Sequence, residues 1–258
     1  MKIGMPVLFE YDSVCENVKL AKELNVDFIE MNLNMAYCRE ALEGKEDLHK
    51  LFNENNLDMT LHFYDETDFA TYVEVIDAYL GLLEKYVKLG AKYNLKKVNI
   101  HLNCGPVVTI SGVKNYIYEK EGEDFKKRIT RALNKALDIL SPYGIDLVIE
   151  NVNYGKEIPY LKDVYRFLKA EGYNFNLDVG HDDNSGYFVT KLDKEIDLGF
   201  KEFHVHDANG KTDHLCLGDG NVDLKYYKSL AEKNDAYVLL EVKSSDDLRK
   251  SVPYFKNL

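Results

Sequence analysis

The chain of 258 residues contains no tryptophan, only four cysteines and only five arginines. Cys15, Cys38, Cys104 and Cys216 lie far apart with no C-x-x-C pair, so neither a disulfide frame nor a thiolate metal site fits, and all four are expected as free thiols. No run approaches the roughly 20 apolar residues of a membrane span, and MKIGMPVLFEYDS lacks the length and small-residue cleavage pattern of a signal peptide. A cytoplasmic location without membrane contact is therefore expected. Cations are also scarce: 33 Lys and Arg against 44 Asp and Glu leave a net charge of −11. That balance repels phosphate backbones and argues against a nucleic-acid partner. Also missing are Pro-, Gly- or Ser-rich linkers and low-complexity runs, so residues 1–258 are read as one domain.

What is present is a rhythm. Short runs rich in β-branched or aromatic residues alternate with longer segments of helical apolar spacing. KIGMPVLF precedes a helix from about Ser13 to Leu24, FIEMNL one from about Ala41 to Asn55, and MTLHF one from about Tyr72 to Tyr93. KVNIHL precedes Asp124 to Leu140, DLVIEN precedes Leu161 to Ala170, and FNLDVG precedes a weak helix near Leu192. FHVHD precedes Leu224 to Lys233, and YVLLEV precedes Asp246 to Phe255. With 45% hydrophobic residues the chain can bury a large core, and eight strand-then-helix units are the count of an α/β (β/α)8 TIM barrel. The rival, a doubly wound sheet, is expected to show a Gly-rich phosphate turn after an early strand. None follows KIGMPVLF or FIEMNL.

Barrel enzymes place their chemistry at the C-terminal ends of the strands. Six of the seven histidines fall there or just beyond: His62, His101, His181, His204, His206 and His214, with only His49 in a helix. Glu150, Asp178, Asp207 and Glu241 fall in the same register. Buried carboxylates need a positive counterpart, and none of these strands carries an arginine. A divalent metal meets that need, and mixed imidazole and carboxylate donors suit Zn, Mn, Co or Fe.

The segments VIENVN (148–153), LDVGHDDNSG (177–186) and FHVHDANGKTDHLCLGDGNVD (203–223) resemble the xylose isomerase-like barrels. That family includes sugar isomerases and epimerases, inosose-processing enzymes and endonuclease IV of the second abasic-site endonuclease family. The resemblance spans nearly the whole chain. It implies Glu150, Asp178, His204 and Glu241 as metal ligands, with His204 preferred to His206 because Asp207 completes the H-x-x-D pattern. His206 then becomes a neighbour of the ligands or a substrate contact. His62 and His101 match the positions that hold an additional metal in endonuclease IV, bridged here by Glu150. His181 and His214 match two ligands of a third metal there. The Asp expected two residues before His214 is Thr212, with Asp213 one position off as a substitute.

Two activities follow from the resemblance. The first is an isomerase or epimerase of a small carbohydrate or cyclitol carbonyl compound. A metal would stabilise the enediolate left by proton removal, Glu150 and Glu241 serving as the acid–base pair. His62, His101, His181, His206, Lys211 and His214 would contact substrate. A dehydratase, as in the inosose branch, would use the same proton abstraction. The second is a metal-dependent phosphodiesterase on abasic DNA. Thr212, the net charge and the few arginines count against it. A silent, metabolite-binding relative is a third reading, and a homo-oligomer is left open. Ketohexose 3-epimerases of the family carry an Arg six residues after the metal His, where this chain has Gly210 followed by Lys211. Tyr11 and Tyr64 are candidate mouth residues by position alone.

Overall fold

The computed structural model describes residues 1–258. Its strands are β1 (Lys2–Pro6), β2 (Phe28–Asn32), β3 (Asp58–His62), β4 (Leu95–Leu102), β5 (Val107–Ile110), β6 (Val113–Tyr116), β7 (Asp146–Asn151), β8 (Asn174–Asp178), β9 (Glu202–Val205) and β10 (Tyr237–Leu240). Its helices are α1 (Val14–Leu24), α2 (Ala36–Glu40), α3 (Val73–Gly90), α4 (Ile117–Glu121), α5 (Glu123–Leu140), α6 (Pro159–Ala170), α7 (Val179–Asn184), α8 (Phe188–Ile196), α9 (Leu224–Lys233) and α10 (Ser245–Lys256). Eight strands close a parallel barrel in the order β1, β2, β3, β4, β7, β8, β9, β10, with β10 back against β1. The (β/α)8 expectation holds.

Local chemistry explains the helices. Ser13 caps α1 by accepting from the Glu16 N–H, and Asn25 ends it in the left-handed region at φ 50°. Along α5 the buried side chains Phe125, Ile129, Ala132, Leu133, Ala136 and Leu140 form one stripe against the barrel. The basic run Lys126, Lys127 and Arg128 pairs with Glu123, Asp124 and Glu121, as a solvated helix face does. No helix is long and apolar enough to cross a membrane. All four cysteines are free thiols.

Two local expectations change. The helix expected over Ala41 to Asn55 is two wide helical turns, Ala41–Lys45 and His49–Asn53. Gly44 at φ 104° breaks the run. The intervening Glu46 then reaches α1, its carboxylate accepting from the Val14 and Cys15 N–H groups at 2.9 and 2.8 Å. Between β4 and α5, where no element was expected, β5 and β6 form an antiparallel hairpin turning at Ser111 and Gly112, φ 49° and 80°. The Ser-Gly pair between VVTI and VKNY was its signal.

Candidate metal centre

Strand register decides which side chains meet at the mouth. His101 lies opposite Glu150, Glu150 opposite Asn176, and Asp178 opposite His204 on neighbouring strands. Glu241 follows β10 immediately, with its N–H on the Val205 carbonyl. Side chains alternate along a strand, so these residues share the inner face.

The structure brings Glu150, Asp178, His204 and Glu241 together, one donor atom from each lying within 4.8 Å of all the others. All four are buried, His204 and Asp178 completely. His204 stands at the centre, its Nδ1 3.2 Å from Glu150 Oε1 and 3.2 Å from Glu241 Oε2. Neither ring nitrogen, nor Glu241 Oε2, makes a hydrogen bond. Such orphaned donors are costly unless something else binds them.

The outer oxygens of the two glutamates diverge. Glu150 Oε2 accepts from the Asn99 amide and faces His62 Nε2 at 3.6 Å and His101 Nε2 at 3.8 Å. Glu241 Oε1 accepts from Lys243 Nζ at 2.7 Å and faces His214 Nε2 at 3.6 Å. Burial opposes ionisation of both acids, yet the His204 charge beside Glu150 and the Lys243 ammonium beside Glu241 hold both well below the usual carboxylate range. Burial also opposes charge on His62, but its Glu150 bond and the neighbouring acids lift the ring to about 10.

Two further groups adjoin the centre. His62 and His101 meet Glu150 on one side, and Asp178 meets His181, His206 and His214 on the other. His206 bonds Asp178 through Nε2 at 2.9 Å while its Nδ1 accepts the His214 N–H at 2.7 Å. Accepting at Nδ1 leaves the ring proton on Nε2, directed at Asp178. Asp213 reaches His214 Nδ1 at 3.1 Å and His181 Nε2 at 3.8 Å. Lys211 is exposed on a turn held by Asn209 and makes no contact with the cluster. Tyr64 lines an outer groove with Arg39 and Tyr79.

Asp207 departs from its strand-end company. Its carboxylate turns away from the mouth and accepts three backbone N–H groups, from Ala208, Gly218 and Val222, at 2.9, 2.9 and 3.0 Å. A Cβ on Gly220 would come within 2.3 Å of Asp207 Oδ1, so only glycine lets this loop close.

Sequence reasoning missed the layer beneath the mouth: Glu30, Thr60, Asn99, Asn176, Glu202 and the rim cation Lys243. Four of them stand two residues before a strand-end ligand candidate: Thr60 before His62, Asn99 before His101, Asn176 before Asp178 and Glu202 before His204. Stepping inward by the strand period of two was the signal. Glu202 has no partner for either oxygen, and burial with Glu30 nearby pushes its carboxyl up to about 8.

The pattern defining the xylose isomerase-like TIM barrel family matches residues 18–258. The chain belongs to that family. Among relatives, an uncharacterised protein of Methanocaldococcus jannaschii, MJ1614, is 24% identical over 90% of this chain and 96% of its own. An inosose isomerase of Bacillus velezensis is 23% identical over 86% of this chain and 71% of its own. A D-tagatose 3-epimerase-like structure superposes with a TM-score of 0.77 at 21% identity, covering 100% of this chain and 96% of that one. The IolI protein with a bound zinc atom superposes at 0.71 and 16% identity, covering 100% and 94%. At such identities the superpositions establish the fold.

Proposed function

We propose that the mouth holds a divalent metal through Glu150, Asp178, His204 and Glu241. On this reading the protein is a metal-dependent isomerase or epimerase of a small sugar, sugar phosphate or cyclitol carbonyl compound. One observation carries it: four buried donors lie within 4.8 Å of one another, three of their polar atoms have no hydrogen-bond partner, and no arginine is among them. The donor set suits Zn, Mn, Co or Fe(II). The zinc in the related IolI structure and the sugar epimerases among the neighbours agree with this reading. When bound, the ion would draw charge from a substrate carbonyl and make the adjacent C–H acidic.

The chain's own residues supply the rest. Glu150 and Glu241, both held ionised, flank the place where that carbon would lie. One takes its proton; the other delivers one to the opposite face only after the Lys243 ammonium has passed it a proton and solvent has reprotonated the lysine, so the carbon inverts with no net oxidation. Delivery suits Glu241, because its Oε1 is bonded to the half-exposed Lys243 ammonium, which draws protons from solvent. His206 keeps Asp178 in place. His62, His101, His181 and His214 ring the mouth, where they would bind substrate hydroxyls or, with Asp213, further ions. Lys211 would reach a substrate only from the exposed turn.

Turnover of inosose and ketose substrates in deuterated water tests the mechanism. The account expects deuterium at the carbon beside the carbonyl, whereas a hydride shift would leave it unlabelled. The two flanking histidine groups favour a second reading, a phosphodiesterase on abasic DNA. Cleavage of an abasic duplex, lost in His214→Ala, would establish that reading instead.

A further inference from the structure

We infer that Glu30 positions His204 for metal binding by accepting the ring N–H on the side away from the ion. The inference rests on the metal reading of Glu150, Asp178, His204 and Glu241 proposed above.

His204 Nδ1 faces the carboxylates of both Glu150 and Glu241, so Nδ1 is the nitrogen that a shared ion would meet. A neutral imidazole has one lone pair and one N–H. Ligation through Nδ1 therefore puts the proton on Nε2. The ring is wholly buried, and a buried N–H with no acceptor is destabilising. The group opposite Nε2 is Glu30 Oε2 at 3.5 Å, contributed by β2 from across the barrel. Glu30 is itself only 3% exposed, and the same oxygen takes the Thr60 hydroxyl at 3.4 Å. Thr60 is the register partner of Glu30 on β3, so the carboxylate is held from its own sheet. Glu202 belongs to the same buried cluster, but of the two only Glu30 comes within ion-pair distance of the ring.

A carboxylate behind a ligating histidine fixes the tautomer and the ring plane and makes the facing nitrogen a better donor. Losing such a partner typically costs about 10- to 100-fold in metal affinity. Glu30 touches neither ion nor substrate in this arrangement, so its effect passes entirely through His204.

The test is zinc affinity of chelator-stripped protein, measured by competition with a chromophoric chelator, together with the visible spectrum of the cobalt(II)-loaded form. Glu30→Gln keeps the size of the side chain and removes its charge. The expected result is zinc binding weakened about 10- to 100-fold with an altered cobalt spectrum. Glu202→Gln, the same substitution at a neighbouring buried carboxyl that does not reach the ring, should leave both unchanged. Wild-type affinity and spectrum in a folded Glu30→Gln variant would overturn the role of Glu30 and leave the metal centre standing. Failure of the wild type to bind zinc would overturn both. Should Glu30→Gln not fold, a structure of the zinc-loaded wild type decides. Zinc on Nδ1 with Nε2 within about 3.2 Å of Glu30 Oε2 supports the inference, and zinc on Nε2 refutes it.

Discussion

The loop anchor behind β9 and the mouth in front of it bury carboxylates in opposite ways. Asp207 is 1% exposed, and three backbone N–H groups satisfy it. Glu150 is buried as deeply and Glu241 nearly so, but they face a histidine neither of whose nitrogens is hydrogen-bonded, and Glu241 Oε2 has no partner either. An acid met by backbone donors is finished by folding. Acids gathered around an unbonded imidazole are finished only by something that binds there. Replacements in the two regions should therefore separate stability from function.

The largest effects belong to the mouth. Glu150→Gln should reduce turnover by roughly 100- to 10,000-fold in a steady-state assay. Zinc content measured alongside should also fall. The metal-free variant also loses the ion pairs that hold Glu150 ionised beside His204 and His62, so zinc content and turnover, not melting temperature, carry the comparison. Zinc content and turnover close to those of the wild type would mean that Glu150 is structural and would erase the contrast with Asp207.

Asp207→Ala reverses the pattern. Losing bonds from three backbone N–H groups, two of them buried, to a charged acceptor should cost on the order of 3 kcal/mol. For a chain of this size that lowers the melting temperature by roughly 6–12 °C. Zinc should still bind with wild-type stoichiometry, as titration of the folded variant would show. Loss of zinc binding with unchanged stability would place Asp207 in the mouth instead.

Glu202 sharpens the comparison through pH. Its folded carboxyl is raised to about 8 by burial and by Glu30, above the ordinary value near 4.5. The folded state therefore holds a proton that the unfolded state releases. Its stability contribution is full below about pH 4.5 and is lost as pH rises through about 8. Glu202→Gln cannot titrate, so its melting temperature should gain on the wild type steadily between pH 5 and pH 9 in chelator-treated samples. A pH-independent difference would show that Glu202 has a partner.

The barrel and the residues at its mouth were legible because strand ends carry a strong signal: a polar residue closing an apolar run. His62, His101, Glu150, Asp178, His204 and Glu241 all stand out in that way. Glu30, Asn99 and Glu202 did not, because each sits inside a strand, where a single polar residue reads as an ordinary interruption. Asp207 was misread for the same reason in reverse. It follows the strand by only two residues, and nothing local shows that Gly218 and Val222 return to it from more than ten residues away. The break at Gly44 was hidden in apolar spacing that suited a helix. Lys243 was missed because a lysine beyond a strand normally faces solvent.

The smallest effect is expected on the exposed hairpin that follows β4. Val108, Ile110 and Val113 share one exposed face of the β5–β6 hairpin. Ile110→Thr should change stability by no more than about 0.5 kcal/mol in denaturant melts and leave zinc affinity untouched.

Calorimetric titration of zinc into chelator-stripped wild type, Asp207→Asn and His204→Ala tests the central claim most directly. The account predicts at least one tightly bound equivalent in the wild type, retained in folded Asp207→Asn and lost in His204→Ala. No tight binding by the wild type, or binding that survives in His204→Ala, would contradict it.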